Sequence, residues 1–369
     1  MALRDGAVLA PRLARTSDGH PLVPPEGQPA WRLDIERKGA LENLSLVPNP
    51  DAARPLEQGE VRVEVRAAGL NFRDVLIALG VYPEQATIGA EGAGIVLEVG
   101  AGVTDLSPGD HVMGLMAGAF GPVAVTDQRM VVEMPGKWSF AEAASVPIVF
   151  LTAYYALVDL AEINSDQTLL IHAAAGGVGM AAVQLARHLG AEVFATASPS
   201  KRAALYELGL DDDHIASSRD VKFKHQFLRV TDGQGVDVVL NSLVREFVDA
   251  SLELLPRGGR FLEMGKADVR EAADISEQYR GVRYRAFDLL DEVEPSRIKE
   301  MLVAIVALFE QGALRHAPIT TRDVRQGVEA FRILRDAKHV GKIVLTVPPT
   351  LDPHGTILIT GGTGALGAL

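Results

Sequence analysis

Three closely spaced glycines, Gly176, Gly177 and Gly179, could let backbone N–H groups close on a phosphate. A glycine turn between a buried strand and a helix leaves unpaired donors at the positive end of that helix. The run reads Leu169-Leu-Ile-His-Ala-Ala-Ala-Gly-Gly-Val-Gly-Met180, with the helix expected from about Val178 and Ala174 in place of the first glycine of the dinucleotide pattern. Roughly twenty positions after Gly176, where an NAD enzyme usually carries Asp or Glu for the ribose 2′-hydroxyl, the strand Glu192-Val-Phe-Ala-Thr-Ala-Ser198 ends in Ser198 instead. Lys201 and Arg202 follow at the next helix start. A carboxylate would repel a 2′-phosphate and two cations would attract it, so NADPH is the expected cofactor. Taken alone, the same residues also fit an unliganded turn followed by two solvated charges.

Those groups need strands and helices to hold them. From about Phe150 the pattern alternates strand and helix, over 168–172, 178–190, 192–197, 200–209, 236–241, 244–254, 259–264 and 282–287. That alternation predicts an α/β fold with a doubly wound parallel sheet of Rossmann type. Active groups in such a sheet lie beyond the carboxyl ends of the strands. Lys266 follows the strand at 259–264 and Asp288 ends the one at 282–287, so the two are expected to reach one cleft as an ion pair. Such a pair would keep the ammonium protonated and turned toward a substrate. A purely structural salt bridge fits the same pattern. Glu263, Asp268 and Glu271 read as a solvated acidic face.

The first 150 or so residues read differently, with strands near 61–65, 94–99, 111–113 and 130–134 punctuated by Pro83, Gly100, Pro108-Gly109 and Pro135-Gly136. This is a mostly β module. Tyr82 falls on a loop after a helix at 72–80, where its phenol could donate a proton or simply cover apolar surface. Asn71 could bond a ribose or substrate, or cap that helix. After Asp288, helices at 296–312 and 322–335 and a strand at 341–347 are expected to return to the β module. The expected division is therefore 1–149 with 291–347 as a substrate domain and 150–290 as the NADPH-binding domain.

Composition narrows the class. The chain of 369 residues is long enough for two cored domains, and its formal net charge of −12 argues against nucleic acid or an anionic membrane surface as partner. Apolar runs are short and broken by glycine, so no transmembrane helix is expected and the cytoplasm is the expected compartment. The absence of cysteine excludes disulfides, thiolate catalysis and cysteine-ligated zinc, and the nine His are scattered, so no metal is expected.

A β module enclosing a nucleotide-binding module resembles the medium-chain dehydrogenase/reductase superfamily, over nearly the whole chain, which implies a GroES-like substrate domain beside the Rossmann domain. Zinc-dependent members carry a Cys after the Ala-Gly of the first module and a His in a Gly-His-Glu motif. Here Asn71 in Ala68-Gly-Leu-Asn71 and Ala90 in Gly89-Ala-Glu-Gly92 hold those places, so zinc cannot polarise a carbonyl. The zinc-free quinone and enoyl reductase branch remains. Within it, Leu70-Asn-Phe-Arg-Asp-Val-Leu-Ile-Ala-Leu-Gly-Val-Tyr-Pro83, Arg260-Phe-Leu-Glu-Met-Gly-Lys266 and Tyr284-Arg-Ala-Phe-Asp-Leu289 resemble the enoyl reductase domain of a modular type I polyketide synthase.

That resemblance implies conjugate reduction of a carrier-bound enoyl thioester, with hydride from NADPH to the β-carbon and a proton to the α-carbon. Tyr82, Lys266 and Asp288 match the family's proton-delivery positions, with redundancy expected among them, and the tyrosine implies S configuration at a methyl-bearing α-carbon. Asn71, Thr152, Asn241 and Ser242 match positions at the nicotinamide end, although Thr152 also fits an ordinary helix residue; His339-Val-Gly-Lys342 matches a family segment near the cofactor, and Gly265 is a further expected cofactor contact. Expected partners are an acyl carrier protein and a neighbouring ketoreductase domain. The latter rests on Gly355-Thr-Ile-Leu-Ile-Thr-Gly-Gly-Thr-Gly-Ala-Leu-Gly367, so 348–369 is expected to be a linker and the truncated start of that domain. Lys222, Lys224 and His225 fit either a carrier-docking cluster or a solvated helix face. A free-standing quinone or small-enone reductase, or an inactive structural domain of a synthase, are the other assignments open at this point.

Overall fold

The computed structural model describes residues 2–4, 7–9, 21–28 and 30–348. The ketoreductase-like turn and most of the linker before it lie outside the described residues. Two large sheets organise the rest. In the first, six parallel strands run in the spatial order Ile215–Ser217, Glu192–Ala197, Thr168–Ile171, Val238–Asn241, Gly259–Glu263, Val282–Ala286. The inner strands are continuous buried runs because helices cover both faces; Val238–Asn241 is buried at every position. Chain order reverses between Thr168–Ile171 and Val238–Asn241, and the crevice at that switch point is where ligands of doubly wound sheets bind.

The second sheet has seven strands, with Glu60–Leu70 at its centre, paired to Glu91–Val99, Val123–Asp127 and Lys342–Thr346. The C-terminal strand thus returns antiparallel to the N-terminal module, with Ile343 opposite Leu70. The two sheets are tied beside the glycine turn: Gly341 N–H donates to the Ala175 carbonyl at 3.0 Å, and Gly176 and Gly341 form an isolated parallel bridge. At Gly341 the backbone needs φ +74°, and a Cβ would meet the Pro318 carbonyl oxygen, so glycine is required there.

Several elements differ from the sequence reading. The expected helix at 322–335 is a strand, Ile319–Asp323, then a short turn, then the helix Gly327–Arg335. Ile319–Asp323 pairs in parallel with Lys342–Thr346, and Asp323 accepts from the Arg325 N–H to turn the chain. The hairpin of Trp31–Ile35 with Leu44–Pro48 and the strand Ile215–Ser217 carried no signal strong enough to read. Glu263 is no part of a solvated face. It is 1% exposed, and burial pushes its carboxyl up to about 7 despite hydrogen bonds from the Asn241 amide and the Gly265 N–H. Of that trio Glu271 alone is exposed; Asp268 binds Arg270 and the Arg245 N–H. Among the described residues no helix is long and apolar enough to cross a membrane.

His172 follows the strand Thr168–Ile171 and is buried in this core. Ser251 Oγ donates to the Phe247 carbonyl and so accepts from His172 Nε2 at 2.7 Å, which leaves Nδ1 to accept from Thr196 Oγ at 2.8 Å. Burial pushes the ring down to about 3. The unfolded ring takes its proton first as pH falls, so this contribution to stability is full above the ordinary histidine value of 6.5 and drains as pH drops toward 3. A His172→Gln variant is expected to show a shallower loss of denaturation midpoint between pH 6.5 and pH 4 than the parent chain.

Candidate active site

The glycine turn forms one wall of a cleft of about 440 Å³ between the two sheets. The helix Gly177–His188 starts here, with Gly176 as its N-cap, so its first N–H groups face the cleft. At Gly179 a Cβ would lie 2.5 Å from Ala174 Cα, so only glycine lets the helix come this close to the strand end. The left-handed residue of the turn is Ala173, at φ +49°, immediately before Ala174. At the far end of the cleft stand Ser198, Lys201, Ser218 and Arg219. Burial and the neighbouring Arg219 both lower the Lys201 ammonium.

An adjoining cavity of about 360 Å³ shares the glycine turn, Asn71 and Ser242. Tyr82, Lys266 and Asp288 line it together. Lys266 Nζ lies 2.8 Å from Asp288 Oδ2, and the Tyr82 hydroxyl donates to the same oxygen at 2.9 Å. The other oxygen, Oδ1, accepts from the Leu290 N–H. Arg73 completes the group, with Nε donating to the Tyr82 hydroxyl at 3.2 Å and its guanidinium carbon 4.8 Å from the ring centroid.

Electrostatics keep the protons where they are drawn. Burial pushes the Tyr82 phenol up, against the opposing Arg73 hydrogen bond. Burial works against the charged form of Lys266, but the hydrogen bond and charge of Asp288 more than offset it and hold the ammonium above its ordinary value. Asp288 is held below the usual carboxylate range, because the Lys266 hydrogen bond and charge outweigh burial. The cavity thus holds a protonated phenol and a protonated amine on one ionised carboxylate.

A second polar group lies behind Asn71. Glu91, with no exposed surface, accepts from Lys342 Nζ at 2.6 Å, the Asn71 amide at 2.7 Å and the Ile148 N–H at 2.7 Å. Lys342 also donates to Asn71 Oδ1 at 2.6 Å. Asp74, pushed up to about 6 by burial, accepts from the Asn71 and Gly89 N–H groups and so holds both the helix start and the Gly89 turn.

Residues 57–150 match the alcohol dehydrogenase GroES-like domain and 210–345 the zinc-binding dehydrogenase family. CurK enoyl reductase superposes with a TM-score of 0.80 at 40% identity, covering 86% of this chain and 99% of that one. The chain belongs to the polyketide synthase enoyl reductases. The pikromycin polyketide synthase component PikAII of Streptomyces venezuelae is 57% identical over the full length of this enoyl reductase, which spans 10% of that protein. The Escherichia coli quinone oxidoreductase, solved in complex with NADPH, has a TM-score of 0.78 at 27% identity, covering 86% of this chain and 99% of that one.

The zinc named in the second family description does not fit this enoyl reductase. Asn71 and Ala90 cannot supply thiolate and imidazole, and the two carboxylates nearby are already engaged, Glu91 by the Lys342 ammonium and Asp74 by the Asn71 and Gly89 N–H groups. Among the described residues no group of three potential ligands could hold a metal ion.

The fold brings most of the sequence candidates to the two cavities: Asn71, Thr152, Gly176, Gly177, Val178, Gly179, Ser198, Lys201, Ser242, Gly265 and Lys342 all line one or both. Two do not. Arg202 lies one helical turn before Tyr206 and interacts with its phenol instead of facing the cleft. Asn241 is fully buried behind the wall, bonded to Glu263 and the Leu243 carbonyl. Sequence reading missed Arg219, which reaches the cleft from the end of Ile215–Ser217, beside the strand that ends at Ala197. It also gave no role to Arg73, although that residue lies in the segment carrying the family resemblance. Lys224, in the cationic cluster considered for docking, pairs with Glu253 at 2.6 Å.

Proposed function

We propose that this enoyl reductase uses NADPH to saturate the α,β double bond of an enoyl thioester presented by an acyl carrier protein. The carrying observation is the convergence of Tyr82 and Lys266 on a single oxygen of Asp288, in a cavity that opens onto the glycine turn. The glycine cradle would hold the diphosphate, Ser198, Lys201 and Arg219 the 2′-phosphate, and Asn71, Ser242 and Lys342 the nicotinamide end. When bound, NADPH supplies the hydride for the β-carbon. The chain's own residues then manage the enolate. Tyr82 gives its proton to the α-carbon, Arg73 steadies the phenolate that remains, and the Lys266 ammonium, held by Asp288, is the alternative donor.

In this account the substrate domain is 1–149 with 291–347 and the cofactor domain is 150–290, with a ketoreductase domain of the same cytoplasmic polypeptide as neighbour. Delivery from Tyr82 gives S configuration at a methyl-bearing α-carbon. Chiral analysis of the product from a 2-methyl-enoyl thioester tests this: the parent chain should give the S product, and Tyr82→Phe should erode that preference. An R product from the parent chain would remove Tyr82 as the donor.

The cofactor preference has its own test. Exchanging Lys201 and Arg219 together for Ala is expected to reduce the kcat/KM preference for NADPH over NADH by about 10- to 100-fold, the value of one or two charge-assisted hydrogen bonds. The NADH rate should be nearly unchanged.

A further inference from the structure

His339 lines the 440 Å³ cleft yet belongs to none of the groups described so far. Its Nδ1 is buried without a hydrogen-bond partner, and a buried orphan of this kind in a ligand cleft calls for an explanation. Two residues on, Gly341 is hydrogen-bonded to Ala175 and bridged to Gly176, so the chain carrying His339 is fastened to the turn that cradles the diphosphate. The charges that act on the ring come from the two elements packed against it: Lys201 from the turn Pro199–Lys201 and Lys342 from the strand Lys342–Thr346, both cations. The Asp336 carboxylate on its own segment is engaged by Arg335 and Lys338.

We propose that His339 takes up a proton as the dinucleotide binds, so that Nδ1 becomes a donor to an oxygen of the diphosphate. This rests on the NADPH reading above. A neutral imidazole has one N–H; in the tautomer that carries it on Nε2, the partnerless Nδ1 offers only a lone pair to an anion. It donates only after gaining a proton from solvent; no other bond forms or breaks. Burial and the two lysines push the ring down to about 4 in the unliganded chain, which keeps it neutral near physiological pH. A diphosphate bridge, with one negative charge on each phosphate, placed among these groups reverses the local charge and favours the imidazolium.

Titration calorimetry with NADP+ at mildly acidic pH, in buffers of different ionisation enthalpy, counts the protons taken up. The parent chain should take up more than His339→Gln, and that variant should bind about tenfold more weakly, the loss of one charge-assisted hydrogen bond. ADP-ribose, which carries the diphosphate alone, should reproduce the extra uptake, whereas 2′-AMP should not. Extra uptake with 2′-AMP but not ADP-ribose would overturn the diphosphate assignment. In the unsubstituted chain, the ring resonance of His339 should titrate at higher pH with NADP+ bound. Binding with equal proton uptake in both proteins, or an unmoved ring titration, overturns the inference. Absence of NADP+ binding by the parent chain overturns the cofactor reading with it.

Discussion

Tyr82→Phe combined with Lys266→Met is expected to lower kcat for an enoyl thioester by about 10²- to 10⁴-fold, the span of general acid catalysis, while either change alone leaves a larger share of the rate. The geometry sets that order. Both donors rest on Asp288 Oδ2, at 2.9 and 2.8 Å, so removing one leaves the other in the same cavity with its carboxylate partner intact. The effects should therefore be far from additive, the double variant losing more than the two single losses together, because each donor can stand in for the other. Because both side chains are assigned to proton delivery and not to the groups that hold the cofactor, the affinity for NADPH should stay close to that of the parent chain, and fluorescence titration of the cofactor checks this. Full activity in the double variant would mean that water or another group supplies the proton.

Lys342→Met is expected to cost about 3–5 kcal/mol of folding stability, because it leaves Glu91 as an uncompensated charge in a site with no exposed surface. Hydrogen bonds from Asn71 and Ile148 remain, but neither brings a positive charge. Adding Glu91→Gln should restore a large part of the loss, since the charge that lacked a partner is then gone. Urea denaturation of the parent, the single and the double variants measures this. A single variant within 1 kcal/mol of the parent would show that the pair is dispensable to the fold.

What could be read before the structure was what local pattern encodes. The glycine run fixes a strand, a turn and a helix within a dozen residues, and the buried apolar runs at Thr168–Ile171 and Val238–Asn241 announce inner strands of a parallel sheet. Lys266 and Asp288 were legible as neighbours because each follows a strand end, and adjacent parallel strands put such ends together. What escaped was carried by short elements or by tertiary contact. Ile215–Ser217 is three residues long, so the position of Arg219 at its end had no local signal. Arg202 and Lys201 looked equivalent as a pair of charges, yet one faces the cleft and the other follows the helix toward Tyr206, a matter of helical phase at its first residue. Glu263 was misread because a charged residue suggests solvent; Asn241 and the Gly265 N–H make its burial tolerable. The Tyr82 contact with Asp288 joins the two sheets across the cavity, and no local pattern reports such a contact.

The proposed reaction is the reduction of an enoyl thioester by NADPH in this cavity. Its most direct test is the loss of NADPH absorbance on mixing the purified chain with a short 2-methyl-enoyl thioester, beside parallel reactions with NADH and with a simple quinone. Thioester turnover selective for NADPH is expected. Quinone turnover with an inert thioester would contradict it.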